Sequence, residues 1–183
     1  MVGMSNRTSS IPPDRIRTIR QVSEFLTVRE DQALRLFAGR QQHWDRLGAK
    51  WRLSFGWIYN LRTKLVIPGV PIPLLLRELA ARVAANGLME RPADQIVFQV
   101  YRGGQGLSAH VDAAVFHGSV VSVSMLSYAT MRFTHPVLGR GPDLVLEPRS
   151  VIAIADEART EWLHEILKVR ETRWSLTLRT VQP

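Results

Sequence analysis

The second half of the chain alternates between apolar and polar residues with a period of two, and this pattern constrains the fold more than any other feature. Such alternation is typical of β-strands, whose successive side chains point to opposite faces of a sheet. Turns rich in glycine and proline separate the runs, which favours a barrel or a double-sheet jelly roll. The predicted strands are Ile96–Tyr101, Val120–Ser127, Thr130–Thr134, Leu144–Glu147, Val151–Ala155 and Arg173–Thr180.

Helical spacing precedes this β region. Thr27 and Glu30 fit a capping box, in which Thr27 caps a helix and the Glu30 side chain reaches back to it. A second helix is predicted from Pro73 to Asn86, with Pro73 in its first turn and Gly87 at its end. The residues expected on the apolar faces of the two helices are Leu34, Phe37, Ala38, Leu75, Leu79 and Val83.

Length and composition predict one domain. The chain has 183 residues, of which 45% are hydrophobic and 22% are charged, as in an ordinary globular protein. We expect a disordered lead-in over residues 1–13 and a single domain over 14–183, with helices and a basic substrate-lid region over 14–94 and the β core over 95–183. The polar start and the lack of a long apolar run argue against a secretory signal and a membrane helix, so an intracellular, soluble protein is expected.

Positive charge is concentrated near the N-terminus. The net charge is +8, and residues 1–64 hold 12 of the 24 Lys and Arg residues but only 5 of the 16 Asp and Glu residues. A basic segment beside a nearly neutral one favours a polyanionic partner, with nucleic acid as the first choice. A basic surface that serves only solubility is the alternative, and charge alone does not decide between the two.

Two residues in the β region are candidate metal ligands. His110 and Asp112 are two residues apart, so on an extended chain their side chains point the same way and can bind one metal. The chain has no cysteine, and His164, after a predicted strand, is well placed as a third ligand. Two histidines and one carboxylate form the facial triad of non-haem iron(II) enzymes, which leaves positions open for a co-substrate and oxygen. Alone, a His-x-Asp pair is a weak signal, because it also occurs by chance on protein surfaces.

The last predicted strand carries two arginines on one face. Arg173 and Arg179 are six residues apart and share that face with Ser175. An arginine inside a jelly roll is costly unless an anion meets it, and a dicarboxylate co-substrate matches a guanidinium group well. Tyr101 and Gln99 share a face of an earlier strand and are candidates for further hydrogen bonds to this co-substrate. The alternative is an exposed strand face.

Together, these segments resemble the catalytic core of the AlkB family of iron(II)- and 2-oxoglutarate-dependent dioxygenases, over residues 95–180. The stretch from Tyr101 to Asp112 is similar to the family's tyrosine, glycine-rich turn and His-x-Asp. Asp156 to Arg159, followed by Trp162 to His164, resembles its Gly-Glu-Ser-Arg segment and distal histidine. Arg173 to Arg179 resembles its closing Arg-x-Asn-x-Thr-x-Arg. Chance agreement across all of these segments is not expected.

The resemblance implies a fold, cofactors and residue roles. It implies an α+β protein with a double-stranded β-helix (jelly-roll) core, N-terminal helices packed on one side, and Fe(II), 2-oxoglutarate and O2 as cofactor and co-substrates. The implied metal ligands are His110, Asp112 and His164. The residues implied to contact 2-oxoglutarate or to lie beside the metal are Gln99, Tyr101, Arg173, Ser175 and Arg179. Gln99 and Ser175 stand where the family usually has asparagine.

The family's activity gives the functional expectation. Its members oxidise methyl groups, mostly on nucleic-acid bases, so we expect oxidative demethylation or hydroxylation of a modified base in DNA or RNA by a monomer. The same oxygenase chemistry on a protein, lipid or small molecule is one alternative, and a non-catalytic nucleic-acid-binding jelly roll is another. The candidate substrate residues, which offer aromatic stacking or phosphate contacts, are Trp57, Tyr59, Arg62 and Arg132.

Overall fold

Twelve strands and three helices form within the residues that the computed structural model describes, namely residue 16 and residues 18–48, 50–60 and 62–181. The strands are β1 (Ile19–Val22), β2 (Asp45–Leu47), β3 (Lys50–Tyr59), β4 (Val66–Pro68), β5 (Gln95–Tyr101), β6 (Leu107–His110), β7 (Phe116–Met125), β8 (Ala129–His135), β9 (Gly139–Leu146), β10 (Val151–Ile154), β11 (Leu163–Ile166) and β12 (Arg173–Val181). The helices are α1 (Val28–Gly39), α2 (Leu74–Ala85) and α3 (Asp156–Thr160). The predicted lead-in over residues 1–13 lies outside the described residues.

The strands form two antiparallel sheets. The larger sheet follows the order β1-β10-β7-β12-β5-β3-β2, and β4 is attached to it as a second partner of β3. The smaller sheet follows the order β6-β11-β8-β9. Both orders place strands that are distant in sequence side by side, as expected for a jelly roll. The α+β jelly-roll prediction is therefore confirmed.

The two longer helices cover the outer face of the larger sheet. Leu34 of α1 and Leu79 and Val83 of α2 belong to one buried cluster with strand residues such as Phe98 and Leu176. This placement confirms that the N-terminal helices pack on one side of the β core. Within the described part of the chain, no helix is long and apolar enough to cross a membrane.

The helix ends agree closely with the sequence pattern. Thr27 is the N-cap of α1, and both hydrogen bonds of the predicted capping box form: the Thr27 amide donates to Glu30 Oε2 at 2.8 Å, and the Glu30 amide donates to Thr27 Oγ1 at 3.2 Å.

In α2, Pro73 is the N-cap rather than a first-turn residue. Leu75 was predicted on the buried face but is 39% exposed, and Leu76 is buried instead. The prediction for Leu79 and Val83 is confirmed, and only Leu75 is wrong.

The six predicted strands all form, but other strands were not predicted. β7 begins at Phe116 and β9 at Gly139, earlier than the predicted starts at Val120 and Leu144. β3 was missed although it has 10 residues. Its sequence combines positive charges with Gly56, which disfavours a strand when only local pattern is considered.

Gly56 is the point at which β3 changes partners. Up to Gly56, β3 pairs with β5, and from Trp57 onwards it pairs with β4. Gly56 has φ +77°, and a Cβ at this position would lie 1.9 Å from the carbonyl oxygen of Asp94. Only glycine fits such a close approach in this backbone region. Glycine at position 56 therefore allows β3 to turn away from β5 and pair with β4. The β3–β4 hairpin in turn brings Ile58 and Tyr59 to the wall of an interior cavity.

We predict that Gly56→Ala lowers the free energy of unfolding by about 2–4 kcal/mol, because alanine is strained at positive φ and its methyl group displaces the Asp94 backbone. Chemical denaturation checks this value. Gly39→Ala is the matched control, since a Cβ at Gly39 meets no atom within 4 Å. Equal stability of the two variants would contradict the role given to Gly56.

Candidate active site

A cavity of about 820 Å³ lies between the two sheets. Strands of the larger sheet form one wall, and Leu107, Met131 and Ile166 of the smaller sheet contribute to the other. A space of this size is typical of sites that enclose a small-molecule ligand. The predicted site residues that line the cavity are Tyr59, Gln99, Tyr101, His110, Asp112, His164, Arg173, Ser175 and Arg179.

β6 and β11 bring the three predicted metal ligands together. His164 pairs with His110 across these strands, and their ring centres are 4.5 Å apart. Asp112 follows the end of β6, and its Oδ2 lies 3.5 Å from His164 Nε2. His110 Nδ1 donates a hydrogen bond to the Ser108 carbonyl at 2.8 Å, which fixes the ring and leaves its Nε2 available for a metal.

Asp112 is buried beside a guanidinium group. Its side chain is 4% exposed, and its Oδ1 accepts a hydrogen bond from Arg179 Nε at 3.1 Å and lies 3.0 Å from Arg179 Nη2. Burial acts to raise the pKa of this carboxyl group, but the nearby Arg179 outweighs burial and holds the pKa below its usual value. Burial lowers the pKa of His164 to about 4, so its ring is neutral at pH 7 and in the form that binds metals.

The donor set fits a divalent metal of the iron(II) type. Asp112 Oδ2 is buried and has no hydrogen-bond partner. Because His164 is neutral, its contact with this oxygen is not an ion pair, and a cation shared by the two side chains would satisfy both. Among the described residues, no three His, Asp or Glu side chains already surround a common point as a finished metal site does. The three side chains are therefore neighbours at the cavity wall rather than a finished metal site.

Arg173 lies at the start of β12 and is fully buried. Its Nε and Nη2 donate hydrogen bonds to Ser124 Oγ at 3.2 and 2.8 Å, and its guanidinium carbon is 5.3 Å from the centre of the Tyr101 ring. Within residues 18–48, 50–60 and 62–181, no carboxylate forms an ion pair with it. A buried guanidinium group without an anion is unfavourable, so this environment suits a carboxylate ligand.

Polar groups on β5 and β12 surround this position. The Tyr101 hydroxyl donates a hydrogen bond to Gln99 Oε1 at 3.1 Å, and Ser175 is the cross-strand partner of Gln99. Burial raises the pKa of the Tyr101 phenol, so it keeps its proton and can act as a donor. The predicted polar face of β12 is observed, because Arg173, Ser175 and Arg179 all line the cavity.

Of the predicted substrate residues, only Tyr59 lines the cavity. Its ring packs edge-on against Phe116, with ring centres 5.6 Å apart. Trp57 and Arg62, on the same hairpin, do not line the cavity. Arg132 is also absent from the lining, because Asp143 on β9 accepts hydrogen bonds from its Nε and Nη2 at 2.8 and 2.7 Å. The structure therefore gives Arg132 a local ion pair in place of a cavity position.

Phe116 and Arg159 line the cavity; Arg159 ends the segment that resembles the family's Gly-Glu-Ser-Arg, whereas Phe116 was given no role from the sequence. The Phe116 ring lies 4.6 Å from the Arg179 guanidinium carbon, and its carbonyl oxygen accepts a hydrogen bond from Arg159 Nη1 at 2.8 Å. The only available signal was the position of Phe116 four residues after Asp112. Such a signal is too general to identify a cavity residue without the strand pairing.

Comparison with known proteins agrees with this site. A family model described as the 2OG-Fe(II) oxygenase superfamily matches residues 26–180. The chain is 28% identical over 117 residues to the tRNA (carboxymethyluridine(34)-5-O)-methyltransferase ALKBH8 of Mus musculus, a match that covers 61% of this chain but only 18% of that protein. It is 21% identical over 169 residues to the probable RNA/DNA demethylase ALKBH6 of Danio rerio, which covers 84% of this chain and 71% of that protein.

Solved structures show the same fold. OsALKBH1 superimposes with a TM-score of 0.69 at 15% identity, covering 89% of this chain and 96% of that one. A prolyl-4-hydroxylase of Pseudomonas putida superimposes with a TM-score of 0.63 at 16% identity, covering 90% and 93%. At these identities the likeness concerns the fold alone. Since the family match spans most of the chain, the chain belongs to the 2OG-Fe(II) oxygenase superfamily, whose enzymes use iron(II), 2-oxoglutarate and dioxygen, and it resembles the AlkB homologues.

Proposed function

We propose that this dioxygenase oxidises an alkylated or otherwise modified base in DNA or RNA, by demethylation or hydroxylation. The observation that carries the proposal is the composition of the cavity. Its lining combines the His110, Asp112 and His164 donor set with the unpaired Arg173 and with the aromatic ring of Tyr59. The names of the mouse and zebrafish relatives, which refer to tRNA and to RNA or DNA, support a nucleic-acid substrate.

In this proposal, His110, Asp112 and His164 hold the iron(II). The metal supplies the oxidation when 2-oxoglutarate and dioxygen are bound, with succinate and carbon dioxide as by-products. Ser108 orients the His110 ring, and Arg179 keeps Asp112 ionised by occupying Oδ1, which leaves Oδ2 for the metal. A carboxylate that is ionised in advance binds a cation without first losing a proton.

The co-substrate is assigned to the polar face shared by β5 and β12. Arg173 would bind the carboxylate of 2-oxoglutarate that is remote from the metal, because its buried guanidinium group has no other anion in the described part of the chain. Tyr101 would donate its hydroxyl hydrogen to the same carboxylate. Gln99 and Ser175 lie beside them and complete the hydrogen-bonding surface.

The substrate side of the cavity is assigned to the β3–β4 hairpin and the start of β7. Tyr59 and Phe116 offer an aromatic surface on which a base could stack, since every base has a π-face. Lys64 lines the cavity, and the exposed Arg62 lies two residues before it in the sequence. Neither side chain forms an ion pair with a described residue. These cations suit the phosphates that flank a flipped or single-stranded base.

The test of this function is succinate formation from 2-oxoglutarate with iron(II) and oxygen, with and without a pool of methylated oligonucleotides. We expect succinate to rise with the pool, and oligonucleotide binding to weaken steeply as salt increases, because phosphate contacts release counterions. Succinate formation that is indifferent to the pool, together with salt-insensitive binding, would favour a protein, lipid or small-molecule substrate.

We predict that His110→Ala reduces succinate formation to background, because one of three metal donors is lost while the fold is retained. Calorimetry measures the loss of metal binding, and a thermal unfolding curve checks that the fold is retained. His43→Ala is the control, since His43 is exposed, packs edge-to-face against Phe55 with ring centres 5.1 Å apart, and does not line the cavity. A folded His110→Ala variant with normal turnover would rule out the metal assignment.

Tyr59→Ala is expected to weaken oligonucleotide binding by about ten-fold or more, because stacking of one base on an aromatic ring contributes about 1–3 kcal/mol. Fluorescence anisotropy with a labelled single strand measures the dissociation constant. Tyr128→Ala is the matched control, because Tyr128 is 62% exposed and does not line the cavity. Equal affinities of the two variants would exclude Tyr59 as a stacking residue.

A further inference from the structure

Lys50 is a half-buried cation next to the cavity. Its Nζ donates a hydrogen bond to the Gly106 carbonyl at 3.2 Å and lies 5.3 Å from the centre of the Tyr101 ring. No carboxylate of the described residues forms an ion pair with it. A half-buried lysine can bury its alkyl stem without an acidic partner, but here the ammonium group itself is directed to a carbonyl and an aromatic ring beside the cavity.

Strand pairing places Lys50 and Arg173 on either side of Tyr101. β5 lies between β3 and β12 in the larger sheet. Arg173 is the direct partner of Tyr101, and Trp51 pairs with Val100, so Lys50 falls beside Tyr101 on the other neighbouring strand. Both cations are 5.3 Å from the centre of the same ring. Across three strands, the sheet therefore presents a row of cation, phenol and cation.

This row belongs to the face of the sheet that forms the cavity. Side chains alternate along a strand, so Lys50 shares its face with Arg52 and Ser54, which both line the cavity. Arg52 differs from Lys50 because Asp45 neutralises it through hydrogen bonds of 3.1 and 2.8 Å. Lys50 and Arg173 are thus left as two positive charges without a described acidic partner at one end of this face.

Lys50 also connects the two ends of the segment that joins β5 to β6. Tyr101 is the last residue of β5, and Gly106 directly precedes β6, which carries His110. Gly106 is tightly held on its other side, because a Cβ there would lie 2.4 Å from the Ile166 carbonyl oxygen. The ammonium group therefore contacts both the ring proposed to bind 2-oxoglutarate and the turn that leads to the metal site.

Burial lowers the pKa of the Lys50 ammonium group, so the protein holds this charge at a cost in free energy. Burial acts in the same direction on Arg173. An anion near both groups would offset the cost, and the carboxylate of 2-oxoglutarate that is remote from the metal is assigned to this end of the cavity. A second uncompensated charge near the first also raises the selectivity for a dianion over a neutral molecule.

We propose that Lys50 is a positioning residue for the 2-oxoglutarate site, which holds the Tyr101 ring and the Gly106 turn in place and adds a second positive charge beside Arg173. This inference rests on the roles proposed above for Tyr101 and Arg173. Lys50 acts through Tyr101 and through its charge, without lining the cavity itself. Its loss should therefore weaken 2-oxoglutarate binding while metal binding is retained.

The experiment uses the full chain loaded with Mn²⁺, which does not turn over, and measures 2-oxoglutarate binding by calorimetry. Lys50→Met is expected to raise the dissociation constant about ten-fold, because it removes a partly desolvated positive charge and the ammonium contact with the Tyr101 ring. Lys50→Arg should restore most of the affinity, because it keeps the charge and the donor. Arg46→Met is the matched control, since Arg46 lies 5.2 Å over the Trp51 ring and does not line the cavity.

Steady-state succinate assays provide a second readout. For Lys50→Met we expect a higher KM for 2-oxoglutarate with an unchanged kcat, and a melting temperature close to that of the wild type. An unchanged dissociation constant in Lys50→Met, with a weakened one in Arg173→Met, would overturn this inference alone. An unchanged constant in Arg173→Met would overturn the proposed 2-oxoglutarate site and the inference with it.

Discussion

The alternation of side chains along β12 determines where charge lies inside this protein. β12 is in the middle of the larger sheet, paired with β5 on one side and β7 on the other. Leu176 and Leu178 enter the core under the helices, whereas Arg173 and Arg179 enter the cavity. A shift of register by one residue would exchange the two faces and bury both arginines among apolar side chains. The same pairing that closes the core therefore also positions the cations of the site.

The sequence was sufficient for the parts of the fold and site that depend on local spacing. The period of two identified β5, β7, β8, β10 and β12, and the capping box identified the start of α1. That His110 and Asp112 lie together at the cavity could be predicted because they are two residues apart and adjoin a glycine-rich turn; their role as metal ligands stays a prediction. The arginines could be predicted because six residues along a strand return to the same face.

The substrate side could not be predicted, because it depends on contacts between distant segments. Gly56 interrupts the alternation of β3, so local periodicity does not indicate whether Trp57 or Tyr59 reaches the cavity. Arg132 is neutralised by Asp143 only because β8 and β9 pair in one particular register. Phe116 becomes a cavity residue through the pairing of β7 with β12. Each of these outcomes requires the sheet to be assembled first.

The cations at the cavity fall into two groups. Those with an acidic partner contribute to the stability of the fold, and those without one among the described residues are available to bind a ligand. Arg179 has Asp112, and Arg52 has Asp45, so these charges contribute to the fold without a ligand. Arg173 and Lys50 have no such partner among the described residues, and burying them lowers the stability of the ligand-free protein. An anion that binds beside them would offset this loss of stability. Any ligand that binds only the folded state stabilises it, by an amount that grows with the logarithm of the ligand concentration divided by Kd. In the proposed function, the positions that weaken the fold are the ones that would select a dicarboxylate.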